Sequence, residues 1–110
     1  MLSNAANMMS ISLKERGDYK LSMTVRANAV SELAQIPLSI FRDKNLIKMV
    51  TLTGENTQWR TIEVPLDNCI MTFFLKLYFA QDGMEIRDIT LTMTKSREEE
   101  FRKMFSRMED

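Results

Sequence analysis

The stretch YKLSMTVR, residues 19–26, decides the fold class, because apolar and polar side chains alternate along its whole length. The apolar side chains that share one face of this extended segment are Tyr19, Leu21, Met23 and Val25. A period of two is typical of a β-strand with one buried face, since successive side chains of a strand point to opposite sides. Gly17-Asp18 just before it is a turn signal. The segment therefore predicts a half-buried strand.

Similar segments recur on both sides of this strand. They predict further strands over residues 36–41, 46–53, 59–66, 69–80 and 84–94, and an additional N-terminal strand around residues 11–13. Turn signals rich in Asp, Asn and Gly separate them, at residues 43–45, 54–56, 67–68 and 81–83. Pro37 fits its strand only at an edge or at the strand start, because proline lacks the N–H that a sheet ladder needs. Strands at this spacing indicate an all-β antiparallel sandwich or barrel.

The alternation also predicts which residues form the core of the sandwich. The residues expected to be buried are Leu21, Met23, Leu38, Ile62, Val64, Leu75, Leu77, Phe79, Ile89 and Leu91. Cys69 is followed by two apolar residues, which favours a small buried side chain over a nucleophile.

The period changes after residue 94. Phe101, Met104, Phe105 and Met108 are spaced as one apolar stripe of a helix, and Ser96 is a suitable N-cap. We expect a sandwich domain over residues 1–94, followed over residues 95–110 by a short amphipathic helix or a linker to a neighbouring domain. The stripe would pack on the sandwich or on that domain, or would bind a partner. The mixed charge of its polar face disfavours a membrane surface.

The composition excludes several classes of function. Fifteen basic and fifteen acidic residues leave no net charge, so neither nucleic acid nor a membrane is an expected partner. The chain has no histidine, a single cysteine and three glycines, which leaves no usual general base, thiolate cluster or phosphate-binding loop. No apolar run approaches the ~18 residues of a membrane span, and the N-terminus does not look like a signal peptide. We therefore expect a protein that is not an enzyme.

The strand predicted over residues 69–80 has an unusual second face. If Phe73, Leu75, Leu77 and Phe79 face the core, the opposite face presents Phe74, Lys76 and Tyr78. Phe41 has the outward parity of its own strand and would join them. Aromatic rings stack on the apolar faces of sugars, while polar neighbours bond the hydroxyls. The alternative is that a loop or the C-terminal helix covers this face. Trp59 begins another strand, either packed under a loop or serving as a ligand platform at the loop rim.

Four segments together resemble a known family. YKLSMTVRA, WRTIEVPL, LKLYFAQDG and MEIRDITLTM resemble the strands of carbohydrate-binding modules of the galactose-binding-like type, with families four, six and twenty-two the nearest. The resemblance spans about residues 18–94 and implies a jelly-roll β-sandwich. It also implies a glycan-binding outer sheet face, which points to Phe74, Lys76 and Tyr78, with Phe41 and Ser39 as further candidates.

The resemblance also implies one candidate metal site. Such modules often hold a structural calcium near the chain ends, and Asp88 in IRDITL matches an aspartate that contributes to it. Arg87 stands where an acidic or neutral residue is common, and Glu15 and Asp18 are the only evident N-terminal acids. The residues themselves imply no cofactor.

These features predict a noncatalytic module that binds a polysaccharide or oligosaccharide, through the sheet face or the loop rim. We expect it to be part of a larger secreted or cell-envelope protein, such as a glycoside hydrolase with a neighbouring catalytic domain. The alternative is a structural or protein-interaction β-sandwich, an accessory domain without a glycan site, because one fold serves many functions.

Overall fold

The computed structural model describes residues 4–28, 32–80, 82–99 and 103, and they form an all-β fold. The strands are β1 (Asn4–Ser12), β2 (Gly17–Ala27), β3 (Gln35–Arg42), β4 (Asn45–Thr53), β5 (Arg60–Cys69), β6 (Thr72–Ala80) and β7 (Met84–Ser96). Strands β2 to β7 lie where the alternation predicts them, with bounds that differ by a few residues. The N-terminal strand was expected around residues 11–13, and β1 instead lies mostly before that segment and overlaps it only at Ile11 and Ser12.

The strands form two antiparallel sheets packed face to face. One has four strands in the order β1-β6-β3-β4, and the other has three in the order β5-β2-β7. Both sheets contribute to one buried cluster, which includes Met23 of β2, Leu38 of β3, Val64 of β5 and Leu77 of β6. The predicted antiparallel β-sandwich is therefore confirmed. The outer face of each sheet carries the residues of opposite parity.

The boundary between β5 and β6 differs from the prediction. Asp67 and Asn68, predicted as a turn, belong to β5, where they form a bulge opposite Asp18. Asn68 has a φ of 54°, and its N–H donates to Asp18 Oδ1 at 2.9 Å. The chain instead turns at Ile70 and Met71, which were predicted to lie in a strand and are 62% and 48% exposed. Asn and Asp tolerate the left-handed backbone of a bulge as readily as that of a turn, so the sequence signal is the same for both.

A second bulge corrects one of the predicted core residues. Ser22 pairs with Thr90 and Thr24 with Arg87, so Asp88 and Ile89 together oppose one residue of β2. The parity of β7 reverses there, and Asp88 has a φ of 55°. Ile89 is 38% exposed because it lies at the open side of the sandwich, in an apolar crevice with Met9 and Leu91. Leu91 is half-buried, and the other predicted core residues are buried.

Pro37 takes the second of its two predicted positions, near the start of its strand. β3 is an interior strand, between β6 and β4, so the alternative of an edge strand does not apply. The pairing of β3 with β6 begins only at Leu38, and Pro37 pairs with Thr51 of β4 alone. The β6 side of Pro37 is therefore a local edge near the start of the strand, where the missing N–H breaks no ladder.

The sandwich closes where β2 begins and β7 ends. Arg97 Nε donates to Asp18 Oδ1 at 2.8 Å and Arg97 Nη2 to Oδ2 at 2.9 Å. These bonds lower the pKa of Asp18 to about 2, with the Arg97 hydrogen bond the largest cause and the N–H of Asn68 the next. The residue that follows β7 is thereby held against the start of β2.

The predicted C-terminal helix is not supported as an element in the described part of the chain, where only Glu98, Glu99 and Lys103 have helical backbone. Its apolar stripe, Phe101, Met104, Phe105 and Met108, lies outside the described residues. No helix long and apolar enough to cross a membrane occurs within residues 4–28, 32–80 and 82–99.

Candidate functional site

The outer face of the four-stranded sheet exposes large apolar and aromatic side chains. Phe74 and Tyr78 of β6 are 43% and 41% exposed, while Phe73, Leu75 and Leu77, which have the opposite parity in the same strand, are buried, as predicted. The same face is extended by Met8 of β1 and by Leu46 and Met49 of β4, all of them exposed. We call this surface the outer platform: Met8, Phe41, Leu46, Met49, Phe74, Lys76 and Tyr78, with Ser39.

The register of the strands places the predicted residues side by side. Ser39 pairs with Tyr78, and Phe41 pairs with Lys76, so each pair lies directly across the β3–β6 ladder, where Cβ atoms are ~5 Å apart. Phe74 lies two residues from Lys76 on the same face of β6. The structure thus brings together all five of the residues predicted on this sheet face.

Four of these residues line a hollow of about 510 Å³. The residues that form it are Ser39, Phe41, Asp43, Lys44, Lys76 and Tyr78. The volume is typical of small-ligand sites. The hollow is open to solvent, and it therefore suits a chain-like ligand that lies across the sheet.

Two contacts hold the hollow in shape. The rings of Phe41 and Tyr78 lie edge to face, with centroids 5.4 Å apart and planes at 77°, an arrangement that fixes both aromatic side chains. Asp43, with a φ of 54°, joins the β3–β4 turn to β6. Its Oδ1 accepts the N–H of Phe74 at 2.9 Å, and its own N–H donates to the Phe74 carbonyl at 2.8 Å.

Asp43 and Lys44 were not among the predicted site residues. Both belong to a segment that the sequence marks only as a turn, and nothing in a turn motif indicates which strand it lies beside. The hydrogen bonds to Phe74 bring this turn to β6, and Lys44 thereby adds a second ammonium group to the hollow. The platform offers flat apolar surface, hydroxyl groups and cations in one place.

Trp59 lies away from this platform, against the outer face of the other sheet. The guanidinium of Arg26 lies 4.4 Å from the centre of the indole ring and that of Arg87 lies 3.9 Å from it. Arg26 also forms an ion pair with Glu85 at 2.8 Å. The indole is therefore engaged in cation–π contacts, and it does not extend the hollow.

The acids considered for calcium are not gathered at one site. Asp88 is exposed and forms an ion pair with Arg87 at 3.4 Å. Glu15 accepts a hydrogen bond from Ser96, and Asp18 is held by Arg97. The described residues contain no group of three or more His, Cys, Asp or Glu that could hold a metal ion. Calcium needs six to eight oxygen ligands, so these residues do not fit a calcium site built on Asp88.

Cys69 is buried, which confirms the prediction. Its Sγ donates to the Leu66 carbonyl at 3.4 Å, and burial raises the pKa of the thiol. It borders a second hollow of about 320 Å³ at the loop rim, where Arg42, Asp43 and Ile70 also lie. Arg42 donates there to the Asp67 carbonyl at 2.9 Å, so its guanidinium is already used to join β3 to β5.

Comparison with known proteins identifies the fold. No protein-family model matches the chain, and no curated protein does. Among solved structures it is similar to the C-terminal CBM6 of LamC, a marine laminarinase from Zobellia galactanivorans, with a TM-score of 0.54 and 20% identity over 77% of this chain and 71% of that one. It is also similar to a family 16 carbohydrate-binding module, with a TM-score of 0.50 and 16% identity over 82% of this chain and 70% of the other. The chain therefore has the β-sandwich fold found in carbohydrate-binding modules.

Proposed function

We propose that this protein is a noncatalytic carbohydrate-binding module that binds a polysaccharide on the outer platform. Tyr78 and Phe74 supply rings on which sugar faces stack, and Phe41 orients Tyr78. Lys76 and Ser39 supply hydrogen bonds to hydroxyl groups. In this proposal the module belongs to a larger secreted or cell-envelope protein, next to a domain that degrades the glycan.

One observation carries the proposal: solvent-exposed aromatic rings and polar groups share a preformed hollow on a sheet face. Exposed aromatic side chains have a cost in water, and large exposed apolar patches commonly mark binding surfaces. Two contacts order the site before any ligand binds. They are the edge-to-face contact of Phe41 with Tyr78 and the hydrogen bond from the N–H of Phe74 to Asp43. Such preorganisation reduces the entropic cost of binding.

The fold supports the same proposal. The two solved structures named above are carbohydrate-binding modules, and one is the C-terminal module of a laminarinase. A noncatalytic role agrees with the charges of the described residues, because Asp18, Glu85 and Glu63 form ion pairs with Arg97, Arg26 and Lys20.

The test is titration of the protein with soluble polysaccharides, first screened by affinity electrophoresis. A stacked ring contributes modestly, so we expect dissociation constants on the order of micromolar to millimolar. Tyr78→Ala should abolish detectable binding, while Tyr78→Phe, which keeps the ring, should retain most of it. Circular dichroism of each variant reports whether the fold is intact.

A matched control separates the two places where a glycan could bind. Ile70 is 62% exposed and belongs to the hollow at the loop rim rather than to the platform. Ile70→Ala should leave affinity unchanged. If Ile70→Ala weakens binding and Tyr78→Ala does not, the site lies at the loop rim and the platform assignment is wrong.

A second function is favoured by the apolar flanks of the platform. Met8, Leu46 and Met49 are 62%, 49% and 60% exposed, and flexible methionine side chains suit protein-binding surfaces. In this alternative the domain is a protein-interaction or structural sandwich without a glycan site. Two results together would favour this alternative. The wild-type protein would bind no polysaccharide, and it would self-associate or bind another domain in a concentration-dependent way that Met49→Ser abolishes.

A further inference from the structure

The charges of this protein are divided between its two sheets. The strands of the three-stranded sheet carry five acidic and five basic residues. The strands of the four-stranded sheet, as the structure describes them, carry the basic residues Arg42, Lys48 and Lys76 and no acidic residue. A chain without net charge thus has one sheet that is electrically balanced and one that is positive.

The ion pairs follow the same division. In the described part of the chain, the cations that pair with a carboxylate within 4 Å are Lys20, Arg26, Arg87 and Arg97, and all of their partners belong to the three-stranded sheet. Lys44 and Lys76, which line the hollow, take part in none of these pairs. Two lysines that line a solvent-open hollow and form none of these ion pairs make it a favourable place for an anion.

Asp43 does not cancel this charge. It is the only acidic residue among the described residues that line the hollow, and its Oδ1 already accepts the N–H of Phe74 at 2.9 Å. Its role is to hold the turn that carries Lys44 against β6. The hollow therefore contains two cations and one anion, and the anion has a structural hydrogen bond to maintain.

Resting on the function proposed above, we infer that the glycan bound on the platform is anionic, with a negatively charged sugar held between Lys44 and Lys76. The ring of that sugar, or of its neighbour, stacks on Tyr78, and its carboxylate or sulfate ester accepts hydrogen bonds from the two ammonium groups. Aromatic stacking supplies affinity for any pyranose face, whereas the lysines distinguish a charged sugar from a neutral one.

The distribution of charge favours a glycan over a nucleic acid, the other polyanion that stacks on aromatic rings. Nucleic-acid affinity comes mainly from many phosphate contacts by Lys and Arg, and the hollow offers two lysines on a chain with no net charge. Two lysines are enough to contact the charged group of a glycan that carries one negative charge per sugar.

The experiment compares ligands that share a backbone and differ in charge. Polygalacturonate and its methyl ester have the same backbone, and isothermal titration with both should show about tenfold tighter binding of the acid, the change expected for one charge-assisted contact. Carrageenan and its desulfated form make the corresponding pair for sulfate, and oligothymidylate is included as a nucleic-acid probe. Raising the salt from about 0.05 M to about 0.5 M should remove most of the preference for the charged member of a pair.

Two lysine variants locate the effect. Lys76→Met keeps the apolar stem and removes the charge, and it should reduce the preference for the charged ligand about fivefold or more, with a smaller loss of affinity for the neutral ligand, whose hydroxyl groups also lose a donor. Lys48 is an exposed lysine of the same sheet outside the hollow, so Lys48→Met should keep the preference. An equal effect of the two variants would indicate a general field rather than a site, and would overturn the inference.

The remaining outcomes separate this inference from the proposal on which it rests. Equal affinity for charged and neutral ligands, with both lost in Tyr78→Ala, leaves a carbohydrate-binding module and rejects the anionic ligand. Binding of oligothymidylate more tightly than any glycan rejects the ligand class. No binding of any polysaccharide, charged or neutral, rejects the proposed function together with the inference.

Discussion

Truncation of Leu77 is the most direct test of which face of β6 is buried. Leu77 is 2% exposed and lies between Asn7 of β1 and Ile40 of β3 in the middle of the four-stranded sheet. Leu77→Ala removes three carbons, and at ~0.8 kcal/mol for each buried methylene the transfer term is about 2.4 kcal/mol. The cavity left in a packed core adds to this, so the total loss should lie within ~2–5 kcal/mol.

Ile89→Ala is the matched control, because it also removes three carbons from an aliphatic residue. Ile89 is 38% exposed, so about six tenths of the transfer term applies, or ~1.5 kcal/mol. It lines a crevice at the open side of the sandwich, where water replaces the lost side chain and no closed cavity forms. We expect Ile89→Ala to cost at least about 1 kcal/mol less than Leu77→Ala.

Urea unfolding measures both costs. Trp59 is the only tryptophan, and its contacts with Arg26 and Arg87 exist only in the folded sheet, so its fluorescence reports unfolding. Circular dichroism should give the same midpoint if unfolding is two-state. Equal losses for the two variants would mean that Ile89 is packed in the core, and that the β7 bulge is misplaced. A loss below ~0.5 kcal/mol for Leu77→Ala would mean that the faces of β6 are reversed.

Three further predictions concern the β2–β7 end of the sandwich and its buried thiol. The pKa of Asp18 is lowered from 3.8 to about 2, chiefly by its hydrogen bond with Arg97, so its contribution to stability is present above pH ~4 and is lost as the pH falls toward about 2. Asp18→Asn should therefore lower the melting temperature at neutral pH, and the melting temperatures of the two proteins should converge near pH 2. A Cβ on Gly17 would overlap the Lys95 carbonyl oxygen, so Gly17→Ala should cost more than ~1 kcal/mol in urea unfolding, and a smaller loss would show that the strands can separate there. Because burial raises the pKa of the Cys69 thiol, a disulfide reagent at about pH 8 should modify it slowly in the native protein and fully in urea; fast reaction without denaturant would show that Cys69 is accessible.

The strands and their faces were predictable because burial imposes a period that the sequence displays directly. Along β2 every odd-numbered residue from Gly17 to Ala27 is buried and every even-numbered one is not. A sheet face in contact with the core carries few polar side chains, because burying them is costly. The apolar positions of an alternating segment therefore mark the side chains that face the core. The same alternation predicted which side of β6 faces the core, and it therefore also predicted that Phe74 and Tyr78 point outward.

Bulges were not predictable, because they change parity without changing composition. The bulge at Asp67–Asn68 has the residues of a turn, and the bulge before Ile89 interrupts a strand whose two halves both look regular. In each case a single residue with a positive φ shifts the following side chains by one position. An Asn or an Asp tolerates this backbone conformation, but its presence in the sequence does not show whether a bulge forms there.

The positive character of the platform depends on a fact that no linear pattern contains, namely which strands share a sheet. Along the chain, the acid-free strands β1, β3, β4 and β6 are interrupted by β2 and β5, whose charges are mixed, and the whole averages to zero. Pairing of β6 with both β1 and β3 collects the acid-free strands on one side of the core. Lys76 and Lys44 then line the same hollow, because the hydrogen bonds of Asp43 bring its turn to β6. A global net charge is therefore a poor guide to the ligand of a sandwich, because each outer face presents only its own strands to solvent, and the field at a short distance from that face is set by those strands. The expectation that neither nucleic acid nor a membrane is a partner followed from the total charge, whereas the proposed anionic ligand follows from how the fold divides that charge between the two sheets.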